Sequence, residues 1–333
     1  MNLQLLYFNG LDLNKTKLNV IKHEKVSEKK CLIINPGAIA LELIQEPKFK
    51  KVYTVDFWEN SSEVDLATFL SQKHFDVVLL DPSYNITLNN SQLKQINNLR
   101  VKQVCVYNLA SFYESFTERI PSVHCKSWLI SSDLFYVNSR TNFFQLKRAI
   151  DLTVAFSFAP IAFLLVLMAI VCIKATSKGP AFFIQNRVGL KGKVFSIYKL
   201  RTMYYSPEST NNSHTVLNDS RITPIGKFLR KTKIDELPQL INIICGHMSL
   251  IGPRPEKEDI VCKLAEEAPY YNLRHAIRPG VTGLAQVTYP TATPEQNLQK
   301  LEYDLFYLKN ASLLLDIKIL FKTIKVVLTM NSL

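Results

Sequence analysis

The chain has 333 residues, 47% of them apolar, and a mean hydropathy close to zero, so it can hold two domains and a sizeable core. The net charge is +12, and most of it falls late: from Lys147 onward there are 24 Lys and Arg against 14 Asp and Glu, and between Arg187 and Lys233 ten basic residues face two acidic ones. A basic, ordered segment suits a phosphate-rich partner (nucleic acid, nucleotide or anionic lipid), with a solvated basic face as the plain alternative. The six cysteines form no CxxC pair and have no zinc-ligand spacing to histidine, which excludes a disulfide framework or zinc site and reads as small apolar residues in a reducing compartment. The first residues, MNLQLLYFNGLDLNK, lack a basic n-region and a long apolar core, so no signal peptide is expected and the protein should stay on the cytoplasmic side.

Residues 1–140 alternate strand and helix patterns. Strands are expected at Cys31–Asn35, Val52–Val55, Phe75–Leu80 and Val101–Tyr107, and helices at Ala38–Gln45 and Val64–Gln72. This alternation predicts an α/β domain with a Rossmann-like parallel sheet over 1–140. Asp56 lies about twenty residues past Gly37, where a dinucleotide fold places its ribose-binding acid. NPGAIA (Asn35–Ala40) offers one glycine where the phosphate fingerprint wants three, so a structural or regulatory role is favoured over a dinucleotide site.

Leu152–Ile173 is 22 residues without a charge, long enough to enter a bilayer. Pro160 removes one backbone donor inside it. The arm after Pro160 makes only about 20 Å of helix against a hydrocarbon core of about 30 Å. Lys147 and Arg148 precede the segment and Lys174 and Lys178 follow it, so both flanks favour the same side. A re-entrant helix over about residues 150–174, broken at Pro160, satisfies these features; a kinked spanning helix is the alternative. Near the end, the apolar residues of 313–328 are interrupted by Lys318, Lys322 and Lys325 at helical spacing, as in an amphipathic helix on a bilayer surface or a helix packed on a core.

Between these segments lie the residues suited to chemistry. Val194–Tyr198 reads as a strand that brings Lys199 and Arg201 to one face, either two cations for a diphosphate or, as the residues alone favour, ordinary basic residues of a surface strand. Five basic residues from Arg221 to Lys233, Arg230 among them, run into Asp235-Glu236-Leu237-Pro238. Pro238 fits a first helical turn, so a helix should start near Asp235. Carboxylates there are stabilised as anions, whether for capping or for chemistry. An ionised Asp among cations can hold Mg²⁺ or attack phosphorus. Arg254 sits between two prolines, and Arg278 opens a Pro-Gly turn; fixed guanidinium groups suit phosphate. Together these features describe phosphoryl transfer at a bilayer.

KLRTM, RITPIGKFLRKTKIDELPQL, MSLIGPRP and RPGVTGLAQV, in that order, resemble the bacterial sugar transferase family, the monotopic polyprenyl-phosphate glycosyl-1-phosphate transferases. The resemblance covers about Lys147 to Leu328. LASFYESFTERIPSVHCKSWLI (Leu109–Ile130) is similar to the nucleotide-binding-like domain of larger members, which carry four further membrane helices absent here. The resemblance implies a membrane-associated α+β transferase domain over 141–333 at the cytoplasmic face of the bacterial inner membrane. It implies transfer of a sugar-1-phosphate from a UDP-sugar to undecaprenyl phosphate with release of UMP, an initiating step in capsule, O-antigen or exopolysaccharide assembly. Asp235 is then the nucleophile that carries a covalent phosphosugar, Glu236 its helper with the lipid phosphate or metal, and Mg²⁺ the cofactor, held by Asp235. Lys199, Arg201, Arg230, Arg254 and Arg278 become contacts to phosphate and nucleotide. Membrane lipids are expected partners, nucleic acid is not, and a homo-oligomer is left open. Two departures stand out: Ala159-Pro160 replaces the family's Ser-Pro pair at the helix break, and His247 stands where an Asp is usual. A non-catalytic membrane scaffold that recruits glycan enzymes is the alternative; the intact Asp235-Glu236 pair speaks against it.

Overall fold

The computed structural model describes residues 29–60, 62–81, 88–121, 141–205, 219–290 and 296–329. It is a mixed α/β structure that divides into two units, Met1–Asn108 and Leu109–Leu333.

In the first unit, strands β1 (Lys29–Ile34), β2 (Tyr53–Trp58), β3 (Val77–Leu80) and β4 (Cys105–Asn108) form a parallel sheet in the order β2-β1-β3-β4. The apolar runs of β1 and β3 are the buried centre, as expected of strands covered on both faces. Helices α1 (Ala38–Gln45), α2 (Pro47–Lys50), α3 (Leu66–Gln72) and α4 (Asn90–Val101) connect them. Asp65 caps α3, and a reciprocal Asn89–Gln92 capping box starts α4.

Three details differ from the sequence expectation. Val101 ends α4, and the strand begins only at Cys105. The strand order is that of the flavodoxin-like doubly wound sheet, not the 3-2-1-4 order of dinucleotide domains. Asp56 lies within β2 in register with Leu32 and pairs with Lys73 at 2.9 Å, away from the strand ends where ligands bind. At the end of β1, Gly37 N donates to the Asp81 carboxylate at 2.7 Å, so the amide that opens α1 already has an anion.

The second unit begins with α5 (Leu109–Thr117). The segment 109–121 joins this unit, not the first: Glu114 pairs with Lys309, and Ile120 N donates to Glu302 O. Next among the described residues is α6 (Thr141–Thr176), 36 residues or about 54 Å long. The helix continues through Pro160, so the expected break is not a gap in it. Asp151, Ala155, Ala162, Ala169 and Ile173 are buried along one side of α6, while Phe156, Phe163, Leu164, Leu167, Met168 and Val171 are exposed. Its start is pinned by a buried pair, Lys147 to Asp316 at 2.6 Å, and by Asp151, which accepts from Leu250 N.

An antiparallel hairpin follows, β5 (Phe182–Val188) and β6 (Val194–Leu200), then α7 (Pro224–Thr232) and α8 (Gln239–Ile244). Strands β7 (Ser249–Ile251) and β8 (Gly280–Thr282) pair in parallel around α9 (Glu258–Glu267), and α10 (Leu284–Thr288), α11 (Asn297–Asn310) and α12 (Leu313–Leu328) close the unit. The largest core gathers Tyr271, Leu301, Leu305, Tyr307 and Ile319. On α12, Asp316 and Ile319 point into that core, whereas Leu314, Ile317, Phe321, Ile324 and Leu328 form an exposed apolar stripe at three- and four-residue spacing. Lys318 and Lys322 flank the stripe and pair with Glu118.

Candidate active site

The site is built where α7 turns into α8. Thr223 caps α7, and Gly226 lies so close to Thr202 that an added Cβ would sit 2.0 Å from its carbonyl oxygen. Lys233 ends α7 with φ of 59°, an uncommon conformation for a side chain of its size. The chain then makes a 3₁₀ turn, Ile234–Glu236, before Pro238 leads into α8. The helix expected near Asp235 therefore begins only at Gln239, and the carboxylate pair lies in the tight turn between α7 and α8. α6 buttresses this turn, since Ile234 and Leu229 pack with Ala169 and Ile173.

The two carboxylates have different surroundings. Glu236 accepts from Lys199 Nζ at 2.6 Å and lies 3.9 Å from Arg254 Nη2. Burial opposes its charge, but these cations prevail and hold it down to about 2. Asp235 is 8% exposed, and its Oδ1 is buried with no hydrogen-bond partner among the described residues. Burial and the adjacent Glu236 charge push its carboxyl up to about 6, against the pull of Lys199, Lys233 and Arg230. One acid of the pair is thus a permanent counter-ion, and the other is an under-solvated carboxylate with a free oxygen.

Arg187, Lys199, Gln239, Arg254, Pro255 and Gly280 line a small recess that opens to solvent, and two of these, Lys199 and Arg254, face Glu236. Three cations and a neutral amide around one small recess suit a diphosphate. The loop that carries Arg254 rests on glycines: Gly280 approaches Gly252 so closely that a Cβ on it would stand 2.1 Å from Gly252 N. That contact explains why MSLIGPRP and RPGVTG need glycine where they meet.

The structure brings Lys199, Glu236 and Arg254 together and places Arg230 within the electrostatic reach of Asp235, where its Nε donates to Thr202 Oγ1. Arg201 and Arg278 go elsewhere. Arg201, one residue past the end of β6, donates to the carbonyls of Ser177 and Lys178 and so caps the end of α6. Its guanidinium is thus committed to the segment after α6 and not paired with Lys199 at one recess. Arg278 Nε donates to Gly246 O, and Arg148 donates to Ile243 O and Ile244 O, so both close the end of α8. Arg187 was not singled out by any motif; it reaches the recess because β5 pairs with β6, a register visible only in the fold. His247 is exposed, its ring 5.7 Å from that of Phe195.

No cluster of three or more His, Cys, Asp or Glu residues gathers among the described residues. The free Asp235 oxygen suits the way Mg²⁺ is held by one or two carboxylates plus substrate phosphates, not a dedicated protein cage.

Residues 141–330 match the family described as Bacterial sugar transferase. The chain belongs to this family. Its relatives include the UDP-N-acetylgalactosamine-undecaprenyl-phosphate N-acetylgalactosaminephosphotransferase of Aeromonas hydrophila, 40% identical over 225 residues that cover 67% of this chain and 52% of that protein. The UDP-glucose:undecaprenyl-phosphate glucose-1-phosphate transferase of Klebsiella pneumoniae is 38% identical over 181 residues, 54% of this chain and 39% of that one. The exopolysaccharide production protein PSS of Rhizobium leguminosarum bv. phaseoli is 40% identical over 186 residues, 54% of this chain and 93% of that one. This sugar transferase family member thus spans about half the length of the first relative and less of the second.

Proposed function

We propose that this protein transfers a sugar-1-phosphate from a UDP-sugar to undecaprenyl phosphate through a covalent intermediate on Asp235. The observation that carries the reading is the asymmetric carboxylate pair: Asp235 Oδ1 unpartnered, and Glu236 locked to Lys199, beside a recess of cations. The ionised Asp235 carboxylate attacks the β-phosphorus. The bond from that phosphorus to the bridging oxygen breaks, and UMP leaves with the electron pair. A phosphate oxygen of the lipid then attacks the same phosphorus, and the Asp235 carboxylate departs. Lys199, Arg187 and Arg254 offset the charge of the diphosphate, which is the main task in phosphoryl transfer. Glu236 stays ionised and keeps Lys199 and Arg254 in place; it is a poor proton carrier near neutral pH. Mg²⁺, held by Asp235, would spread the diphosphate's charge further when bound.

The lipid acceptor is reached from the bilayer. Phe228 on α7 and Ile241 on α8 are exposed on the two helices that bracket Asp235, and α6 packs directly behind it. α6 also lies lengthwise on the folded body. Ala155 packs on Phe195, Ile197 and Ile243, and Ala169 packs on Leu200 and Leu229, about 21 Å further along the helix axis. A helix crossing the bilayer would pull one of these contacts away from the water-facing side. Burial of the exposed side of α6 in one leaflet, at the cytoplasmic face of the inner membrane, with both ends on that face, keeps both.

The relatives' names put N-acetylgalactosamine and glucose first among the sugars to try. The test is release of UMP from UDP-N-acetylgalactosamine, UDP-glucose and further UDP-sugars, with undecaprenyl phosphate and Mg²⁺ in lipid nanodiscs. One donor should support turnover that needs the lipid phosphate. Absence of UMP release with every donor overturns the proposal.

A further inference from the structure

The loop Gly252–Glu256 presents Arg254 to the recess yet is held entirely from outside. Pro253 and Pro255 have no amide hydrogen to bond with. Its last four carbonyls are each taken by a different donor: Pro253 O by Gly280 N, Arg254 O by Arg274 Nη2, Pro255 O by Arg187 Nη1, and Glu256 O by Val188 N. Two of the four donors are guanidinium groups. Arg187 is at the recess itself, but Arg274 is not. Arg274 is 5% exposed, stacks 5.0 Å over the Tyr271 ring and donates to the Tyr271 hydroxyl. Its Nη2, which donates to Arg254 O at 2.8 Å, also lies 2.7 Å from Asp304 Oδ2.

A buried Arg–Asp pair is weak evidence for stability, because desolvation offsets most of its attraction. In this one both side chains are buried, and one arm of the fork is spent on the peptide of Arg254. We infer that Arg274, fixed by Asp304 and Tyr271, is a positioning residue that sets the place of the Arg254 guanidinium beside Glu236 and the recess. It touches no substrate; it acts through Arg254. A misplacement of about 1 Å can cost about 100-fold in rate, which makes such a support worth a buried charge. The inference rests on the recess being the donor-diphosphate site proposed above.

The test is a double-mutant cycle in the full chain with Arg254→Ala and Arg274→Lys, the latter keeping the charge opposite Asp304 but losing the planar fork. Arg274→Lys should lower kcat/KM for the UDP-sugar by about 10- to 100-fold in the otherwise native protein. In the Arg254→Ala background it should change kcat/KM by less than about twofold. A multiplicative loss in the double variant, the behaviour of a residue that only supports the fold, overturns the inference. If Arg274→Lys does not fold, Asp304→Asn replaces it, with the same coupling expected. The four proteins are also titrated with UDP. If no UDP-sugar is turned over, the functional proposal fails by itself, and coupled losses of UDP affinity still support Arg274 as the support of Arg254, while additive losses reject it.

Discussion

Replacing Asp235 by asparagine should make the protein more stable at pH 8 while abolishing turnover. The folded protein raises this carboxyl from 3.8 to about 6, so it holds the proton more tightly than the unfolded chain does. The group's contribution to stability is then greatest below about 3.8 and is lost as pH rises through about 6. At pH 8 the whole cost of the buried charge is present, about 3 kcal/mol. That cost is already net of the pull of Lys199, Lys233 and Arg230, so the near-isosteric amide should recover most of it, about 2–3 kcal/mol. In a unit of this size that raises Tm by about 5–10 °C. At pH 5 the folded carboxyl is mostly protonated but the unfolded one is still ionised, so the difference should fall to about half its value at pH 8. Thermal melts of both proteins in one detergent, followed by circular dichroism at pH 5 and pH 8, measure this. A variant no more stable at pH 8 than the wild type, or a difference that does not change with pH, refutes the reasoning that Asp235 is held charged at a cost for its chemistry.

Other outcomes follow from the same geometry. The pH profile of kcat/KM should rise through about 6 as Asp235 ionises, with no second step near 4 because Glu236 is held near 2; a flat profile between pH 5 and 8 contradicts the assignment. Gly280→Ala forces a methyl to within 2.1 Å of Gly252 N and should cost about 3 kcal/mol, seen as a lowered Tm and loss of the Arg254 loop's function together. Lys147→Ala leaves Asp316 buried without its cation and should destabilise by about 3–5 kcal/mol, and Asp316→Asn in the same chain should recover part of this in chemical denaturation. For topology, cysteines placed at Leu146 and Lys178, both exposed, should be labelled from the same side of sealed vesicles; labelling from opposite sides means a spanning helix.

Much of this was legible in the sequence because the relevant signals are local. The apolar run Leu152–Ile173, the alternation that makes the parallel sheet and the Asp235-Glu236 pair among cations need only neighbours along the chain. What escaped depends on where a long side chain ends. Arg201 and Arg278 looked like phosphate ligands, yet each meets the carbonyls at the end of a helix that becomes its neighbour only in the fold. The flank cations Lys147 and Arg148 looked like membrane-side anchors, but one is buried on Asp316 and the other caps α8. Arg187 and Arg274, which hold the Arg254 loop, carried no motif because the bonds by which they hold it go to backbone carbonyls, which have no side-chain signature. The order of the parallel strands was equally hidden, since β1 pairs with both β2 and β3 by choices made far apart in the chain.

The central claim is that Asp235 is the atom donor to phosphorus. Incubating the protein with a UDP-sugar labelled in its β-phosphate, without lipid acceptor, then quenching in acid and mapping peptides, tests it directly. The account predicts a phosphosugar mass on the tryptic peptide that begins at Ile234, lost on adding undecaprenyl phosphate and absent from Asp235→Asn. Transfer to the lipid at an undiminished rate by Asp235→Asn, or label on a peptide that lacks this residue, would contradict it.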